Sequence, residues 1–378
     1  MIKVPNIDQV KDIDNYYDVF ESKFHNRITF YQEEIPVSPI TSRFHFDFNF
    51  HYENRELFKD VDVVINDENT LTKNWNSLFY SLGLNIPIIS ANYFLDSPIA
   101  SKVDKKVSYY ERQMEAMINS DICAFPSNQA RLEAFEAFDI LFKNRESLIK
   151  KSSVWNVGCY AKEVMDYNYL EKYDIPTIYF GNRITESANR YTNWHVFAEA
   201  IGKLSEVTDK PFNAFITNPT RKITEDQVEE IKRLSNGKIY IPSNDENPVR
   251  EDYLEKINRS HISVNLFTRE TNGGVTHAEA LLANNILVMP KINNYYDNFK
   301  SMGYEDYPFF VSYKDDENKS VDVDDLVEKL KNALGIVNTS EERYYNKICK
   351  EVGFNCESYE AASGKILEDI NYVIENKE

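Results

Sequence analysis

HISVNLFTRETNGGVTHAEALLANNILVMPK, residues 261–291, decides the fold: an apolar run, a polar turn with two glycines, a short helical stretch, then a second apolar run ending at Pro290. The apolar runs predict strands and the segment between them a helix. Only 11 of the 378 residues are glycine, and the sole adjacent pair, Gly273-Gly274, falls where that helix starts. Glycine there lets a ligand come close to the backbone, and the unpaired N–H groups of a helix N-terminus attract an anion. Glu279, one turn into the helix, is placed to accept two hydroxyls of a ribose. A phosphate site beside a ribose site fits a nucleoside diphosphate. The bland alternative is an ordinary strand–turn–helix with Glu279 on a solvated face.

Outward from this stretch the pattern repeats. PTIYFGN, FNAFITN, KIYIPS, HISVNLF, ILVMP and PFFVSY read as strands, with helices over 194–204, 224–234, 251–257, 276–282 and 321–334 between and after them. Such alternation predicts a parallel sheet covered on both faces, with ligands at the carboxyl ends of the strands. The first half is less regular: DVDVVIN, IPIISANYF and DICAFPS read as strands, 109–119 and 129–143 as helices, and RITFY and FHFDFNF as possible strands. No internal repeat or low-complexity tract is present.

Composition narrows the class. Apolar residues make up 42% and aromatics 13%, enough for packed cores, and 378 residues suit two domains. No apolar run reaches the roughly 18 residues of a spanning helix, and MIKVPNIDQVKDIDNYYD lacks signal-peptide features, so a cytoplasmic protein without membrane partners is expected. Cys123, Cys159, Cys349 and Cys356 show no metal-ligand spacing and read as reduced, packed thiols. A net charge of −18 repels polyanions at long range, so any nucleic acid contact needs a local surface. Residues 99–151 carry nine basic and eight acidic side chains and are among the least acidic parts of the chain.

The 261–291 segment resembles the donor-binding motif of retaining, nucleotide-sugar-dependent glycosyltransferases of the GT-B fold. That motif runs Glu, a Gly-containing turn, then a second Glu eight positions later, followed by Ala and a small-residue helix leading to a strand. Glu279-Ala280 matches the second Glu and its Ala, and Gly274 matches the turn glycine. The departure is at the first Glu, where Thr271 stands eight positions before Glu279 and Glu270 is displaced by one. The resemblance covers residues 60–337 and implies an α/β architecture of two Rossmann-like domains with parallel sheets facing a central cleft. It implies an acceptor-side domain over 1–170 and a nucleotide-sugar domain over 171–340, with helices over 341–378 returning to the first. SSVWNVGCYAKEV, 152–164, looks like the lead into the second domain, with the boundary near Leu170.

The same resemblance implies a UDP-sugar donor held by Glu270, Thr271, Gly273, Gly274 and Glu279. At the place where the family carries a basic pair for the donor diphosphate, Arg183 and Arg190 are available, and a guanidinium fork suits a phosphate. Arg221-Lys222 is a further basic pair at a strand end, equally explained as a helix start. No metal and no cofactor beyond the donor are expected. On the acceptor side, Asp96 follows a strand as a His or Asp does in several family members; Asp-Ser-Pro is also a common turn. His45, Asp47 and His51 would share one face of a strand over FHFDFNFHY. NRITESANRYTNW, 182–194, looks like phage enzymes that glycosylate hydroxymethylated bases, so the acceptor expected first is a hydroxymethylated pyrimidine in double-stranded DNA, in a host cytoplasm. The alternatives are a polysaccharide, lipid-linked or small-molecule acceptor, or a sugar-nucleotide epimerase.

Overall fold

Ile88–Ala91 and Ile122–Phe125 are buried at every position, as strands covered on both faces must be. The computed structural model describes residues 46, 48–66, 69–92, 107–143, 145–156, 158–184, 192–218, 222–242, 249–268, 274–313 and 320–376. The chain divides into two units, Met1–Trp155 with Ala362–Glu378, and Asn156–Ala361.

The first unit holds α1 (Phe48–Glu53), β1 (Val64–Asn66), α2 (Thr72–Leu82), β2 (Ile88–Ala91), α3 (Val107–Ile118), β3 (Ile122–Phe125), α4 (Asn128–Phe142), α5 (Arg145–Ile149) and β4 (Ser152–Val154). Its four strands form a parallel sheet in the order β1-β2-β3-β4, with Val64 opposite Ile88 and Ile89 opposite Ile122. Helix α2 was not expected from sequence. It ends on Gly83 at φ 67°, the left-handed position where glycine closes a helix without strain. Helix α4 starts at Ser127, whose hydroxyl accepts from the Ala130 N–H. The strand expected over FHFDFNF is instead helical from Phe48, and His51 packs against the rings of Phe46, Phe58 and Trp75. The aromatics there fill a local core rather than alternate across a pleat. His45, Asp47 and RITFY lie outside the described residues.

The second unit holds α6 (Ala161–Met165), β5 (Thr177–Phe180), α7 (Trp194–Val207), β6 (Asn213–Ile216), α8 (Glu225–Leu234), β7 (Ile239–Tyr240), α9 (Arg250–Arg259), β8 (Ile262–Val264), α10 (Val275–Leu282), β9 (Ile286–Pro290), α11 (Asn293–Ser301), β10 (Phe310–Val311), α12 (Val323–Ile336) and α13 (Ser340–Cys356). The α8 start is a complete capping box, Thr224 and Gln227 each accepting the other's backbone N–H. Six parallel strands run in the order β10-β9-β8-β5-β6-β7. The chain therefore builds outward from β5 in one direction and from β8 in the other. The crevice beyond the carboxyl ends of β5 and β8 is the topological switch point, where open α/β sheets bind ligands.

Two boundaries differ from the sequence reading. The units divide after Trp155 rather than near Leu170, because α6 packs on α10 within the second unit. Helix α13, expected to return to the first domain, packs on α10 and β9 instead. Gly353 lies so close to Leu281 and Leu282 that a Cβ there would stand 2.8 Å from the Leu281 Cβ. The last helix, α14 (Tyr359–Glu375), belongs to the first unit from Ala362 onward, and there Trp155 Nε1 donates to Asp369 at 2.8 Å.

Candidate nucleotide-binding site

Asn182 follows β5 and Asn265 follows β8, so both stand at the switch point, and the first turn of α10 faces them. Thr276 Oγ1 donates to Asn182 Oδ1 at 3.1 Å, and Asn182 Nδ2 donates to Asn265 Oδ1 at 3.1 Å. Asn265 Oδ1 also accepts the Phe267 N–H at 3.1 Å, and Asn193 Nδ2 donates to the Leu266 carbonyl at 2.9 Å. The helix start is thereby tied to both strand ends. A small depression of about 10 Å³, room for about one water, lies here among Gly181, Asn182, Tyr253, Asn265, Thr276 and Ala280.

Gly274 is the N-cap of α10, at φ −82°. That conformation suits any residue, and an added Cβ would meet only Thr276 Oγ1 at 3.7 Å. The glycine's contribution is an uncovered helix N-terminus, not a special turn. Glu270, Thr271 and Gly273 lie outside the described residues, as do Arg190, Arg221 and Asp96. Arg183 is solvent-exposed two residues beyond the Gly181 that follows β5, and it makes no ion pair among the described residues. Lys222 is exposed as well. His277 does not serve the helix start: its ring is fully buried and stacked on Tyr295, 3.7 Å between centroids. Asp60 and Asp62 stand just before β1. No cluster of three or more metal-ligating side chains occurs among the described residues, and none of their helices is long and apolar enough to cross a membrane.

Glu279 is not on a solvated face. It is 1% exposed, with Arg250 Nη1 at 2.6 Å from its Oε1. Arg250, the first residue of α9, also donates from Nε and Nη2 to the two carboxylate oxygens of Glu163 on α6, at 2.9 and 2.7 Å. Burial pushes the Glu279 carboxyl above its ordinary range, while Arg250, and then Tyr253, oppose the shift. The Arg250 guanidinium is held charged, chiefly by Glu163. Tyr253 is buried beside Glu279, and burial and that carboxylate raise its phenol well above its usual value. Sequence reasoning singled out neither Arg250, Glu163 nor Tyr253. The available signal was indirect: a carboxylate on a small-residue helix between two buried strands needs a cation, and Arg250 opens the preceding helix.

No family model matches the chain, and no curated protein matches its sequence. Solved structures do match in fold. A trehalose-6-phosphate synthase studied for glycosyl transfer with retention has a TM-score of 0.65 at 14% identity, covering 86% of this chain and 77% of that one. A trehalose-6-phosphate structure from E. coli bound with UDP-2-fluoro glucose has a TM-score of 0.64 at 13% identity, covering 94% and 84%. An α,α-trehalose-phosphate synthase from Burkholderia xenovorans in complex with glucose-6-phosphate gives 0.60 at 13%, again covering 94% and 84%. The chain has the α/β fold of these GT-B glycosyltransferases.

Proposed function

We propose that this protein is a retaining glycosyltransferase that moves a sugar from a UDP-sugar to an acceptor hydroxyl. The observation that carries the reading is Glu279, a buried carboxylate held by Arg250 one turn into the helix that opens at Gly274. Its role is to accept ribose hydroxyls while the N-terminus of α10 meets the diphosphate. Arg183, exposed beyond β5, is assigned to the charge that grows on the diphosphate as it leaves. Glu270, Thr271 and Gly273 are assigned to the donor sugar and phosphates, Arg190 to the diphosphate, and Asp96 to the acceptor hydroxyl, all by the family resemblance alone. No metal is assigned a role, so turnover is expected to persist in excess chelator.

Two acceptors are carried forward. Hydroxymethylated pyrimidine in DNA follows from the likeness over 182–194. The basic stretch that would meet DNA is partly spent on the fold. Lys151 Nζ caps the carbonyls of Ile118 and Ser120 at 2.7 and 2.8 Å, and Arg145 pairs with Asp139 at 3.3 Å. A hexose phosphate follows from the structural neighbours.

The first experiment is thermal unfolding with a panel of nucleotides and nucleotide sugars. A ligand at about 100 times its Kd adds about 2.7 kcal/mol to stability, which UDP and a UDP-sugar are expected to deliver. A panel in which no nucleoside diphosphate protects would overturn the reading. The protecting donor is then offered with hydroxymethylated duplex, unmodified duplex and glucose-6-phosphate. Sugar on the modified base supports DNA, and sugar on the hexose phosphate supports the alternative. Conversion of the donor sugar to its epimer without any acceptor would indicate an epimerase.

A further inference from the structure

We infer that Arg250 is a positioning residue for the nucleotide: clamped by Glu163, it keeps the buried Glu279 carboxylate ionised and aimed at a vicinal diol, so the site selects ribonucleotides over 2′-deoxyribonucleotides. This rests on the assignment of Glu279 proposed above.

The geometry runs from the surface inward. Arg250 and Glu163 have side chains 42% and 41% exposed, whereas Glu279 is 1% exposed. Two parallel hydrogen bonds fix the guanidinium on Glu163, a fork-to-fork fit that sets both position and plane. Its remaining terminal nitrogen, Nη1, reaches inward to Glu279. The location of the charge near Glu279 is thus set by α6, an element outside the strand–turn–helix motif. A carboxylate removed from water stays ionised only beside a compensating charge. Lysine, a point charge without a planar fork, cannot reproduce the double grip.

Two buried polar atoms at the site say what ligand it suits. Glu279 Oε1 and Tyr253 Oη are both buried and face each other, the phenol opposing the rise in the carboxyl's pKa, with Arg250 Nη1 on the same oxygen. The Arg250 contact is a close charge pair that leaves acceptor capacity on the carboxylate unfilled. A buried acceptor beside a buried hydroxyl suits a ligand with O–H groups of its own. A ribose presents two adjacent hydroxyls, and a 2′-deoxyribose presents one. Tyr253, with Thr276 and Ala280, also lines the small depression at the ends of β5 and β8.

The test is titration calorimetry of UDP and 2′-deoxy-UDP on the full chain at neutral pH and at successively higher pH, since a buried carboxyl without its cation ionises only as pH rises. Wild type is expected to favour UDP at least about tenfold, the worth of one hydrogen bond to a charged acceptor, with little change across the range. Arg250→Met is expected to erase that preference at neutral pH and to regain UDP affinity as pH rises and Glu279 ionises. Arg250→Lys should restore part of the preference. A loss of affinity equal for both nucleotides, with an unchanged pH profile, would mean that Arg250 serves folding alone and would overturn the inference. Glu163→Gln guards against a misfolded Arg250 variant, since it loosens the clamp at a half-exposed position. A Glu163→Gln protein with wild-type preference and profile also overturns it. Wild type that binds no nucleoside diphosphate removes the proposed function itself, whereas UDP binding that is indifferent to Arg250 and Glu163 removes only this inference.

Discussion

Glu279→Gln separates a ligand-binding carboxylate from a structural one, because the two roles move stability and affinity in opposite directions. Burial raises the pKa of Glu279 above its unfolded value despite Arg250. An acid raised in this way supports folding at low pH, and that support is lost as pH rises through the folded-state value. At neutral pH the ionised, buried form is therefore a burden that a neutral isostere removes. Arg250 is not stranded by the change, since both of its bonds to Glu163 remain. The Gln variant is thus expected to unfold at the wild-type temperature or above it. Affinity should move the other way. Hydrogen bonds to a charged acceptor contribute about 1.5–3 kcal/mol and to a neutral one about 0.5–1.5, so two ribose bonds lose roughly 2–3 kcal/mol, or roughly 30- to 150-fold in Kd for UDP. Calorimetry with UDP and ligand-free thermal unfolding read the two effects on one preparation. A variant that melts well below wild type yet binds UDP unchanged would make Glu279 a fold-bearing ion-pair partner and refute the assignment.

Three further outcomes are expected. Arg183→Ala, at an exposed position, should leave stability within about 0.5 kcal/mol and lower kcat more than it raises KM, because the charge it meets grows in the transition state; an effect on KM alone would argue for ground-state binding. His261 is 1% exposed, its Nδ1 accepts the Thr177 N–H, and burial, then Lys172, holds its imidazole down at about 4. Stability should therefore fall as pH drops from about 6.5 through about 4, by about 3 kcal/mol for this residue, and urea midpoints of His261→Gln should fall less over that window. Gly158→Ala would place a Cβ 1.9 Å from the Glu357 carbonyl oxygen, so the backbone must shift. A loss on the order of 1–3 kcal/mol is expected in urea unfolding, and an unchanged midpoint would contradict the packing.

The second unit was legible because its signals are local. Each β-strand there is a short apolar run, the helices between them carry period and caps, and the alternation itself gives a parallel sheet. Helix α11 escaped because its Asn293-Asn294 start reads as a loop; Tyr295 and Phe299, one turn apart and fully buried, hold it in place. Helix α2 escaped for a similar reason, opening on Thr-Lys-Asn after a short 3₁₀ turn over Asn69–Leu71. FHFDFNF misled because alternating aromatics mimic a strand, while the partner that decides the matter, Trp75, is remote in sequence. The sequence singles out Glu279 by its motif but not its burial. Its cation comes from α9 and the anchor of that cation from α6, so neither stands near it in the chain.

The sheet order explains why these scattered residues meet. With β5 and β8 adjacent, the residues just beyond them, Gly181 with Asn182 and Asn265, face one crevice from two points more than eighty residues apart in sequence. Gly181 has a second duty there: a Cβ on it would stand 2.7 Å from the Tyr179 ring and 2.9 Å from the Tyr253 ring. Its bareness lets Tyr253 lie close over the strand end, beside Glu279. The turn of α10 that carries Thr276 is fixed to the same strand end through Asn182. Helix start, tyrosine and carboxylate are therefore referenced to one rigid sheet rather than to the loops around it. Under the proposed function, a diphosphate site and a diol acceptor must stand at fixed separation, and that rigidity serves it, since small misplacement of reacting groups costs rate steeply.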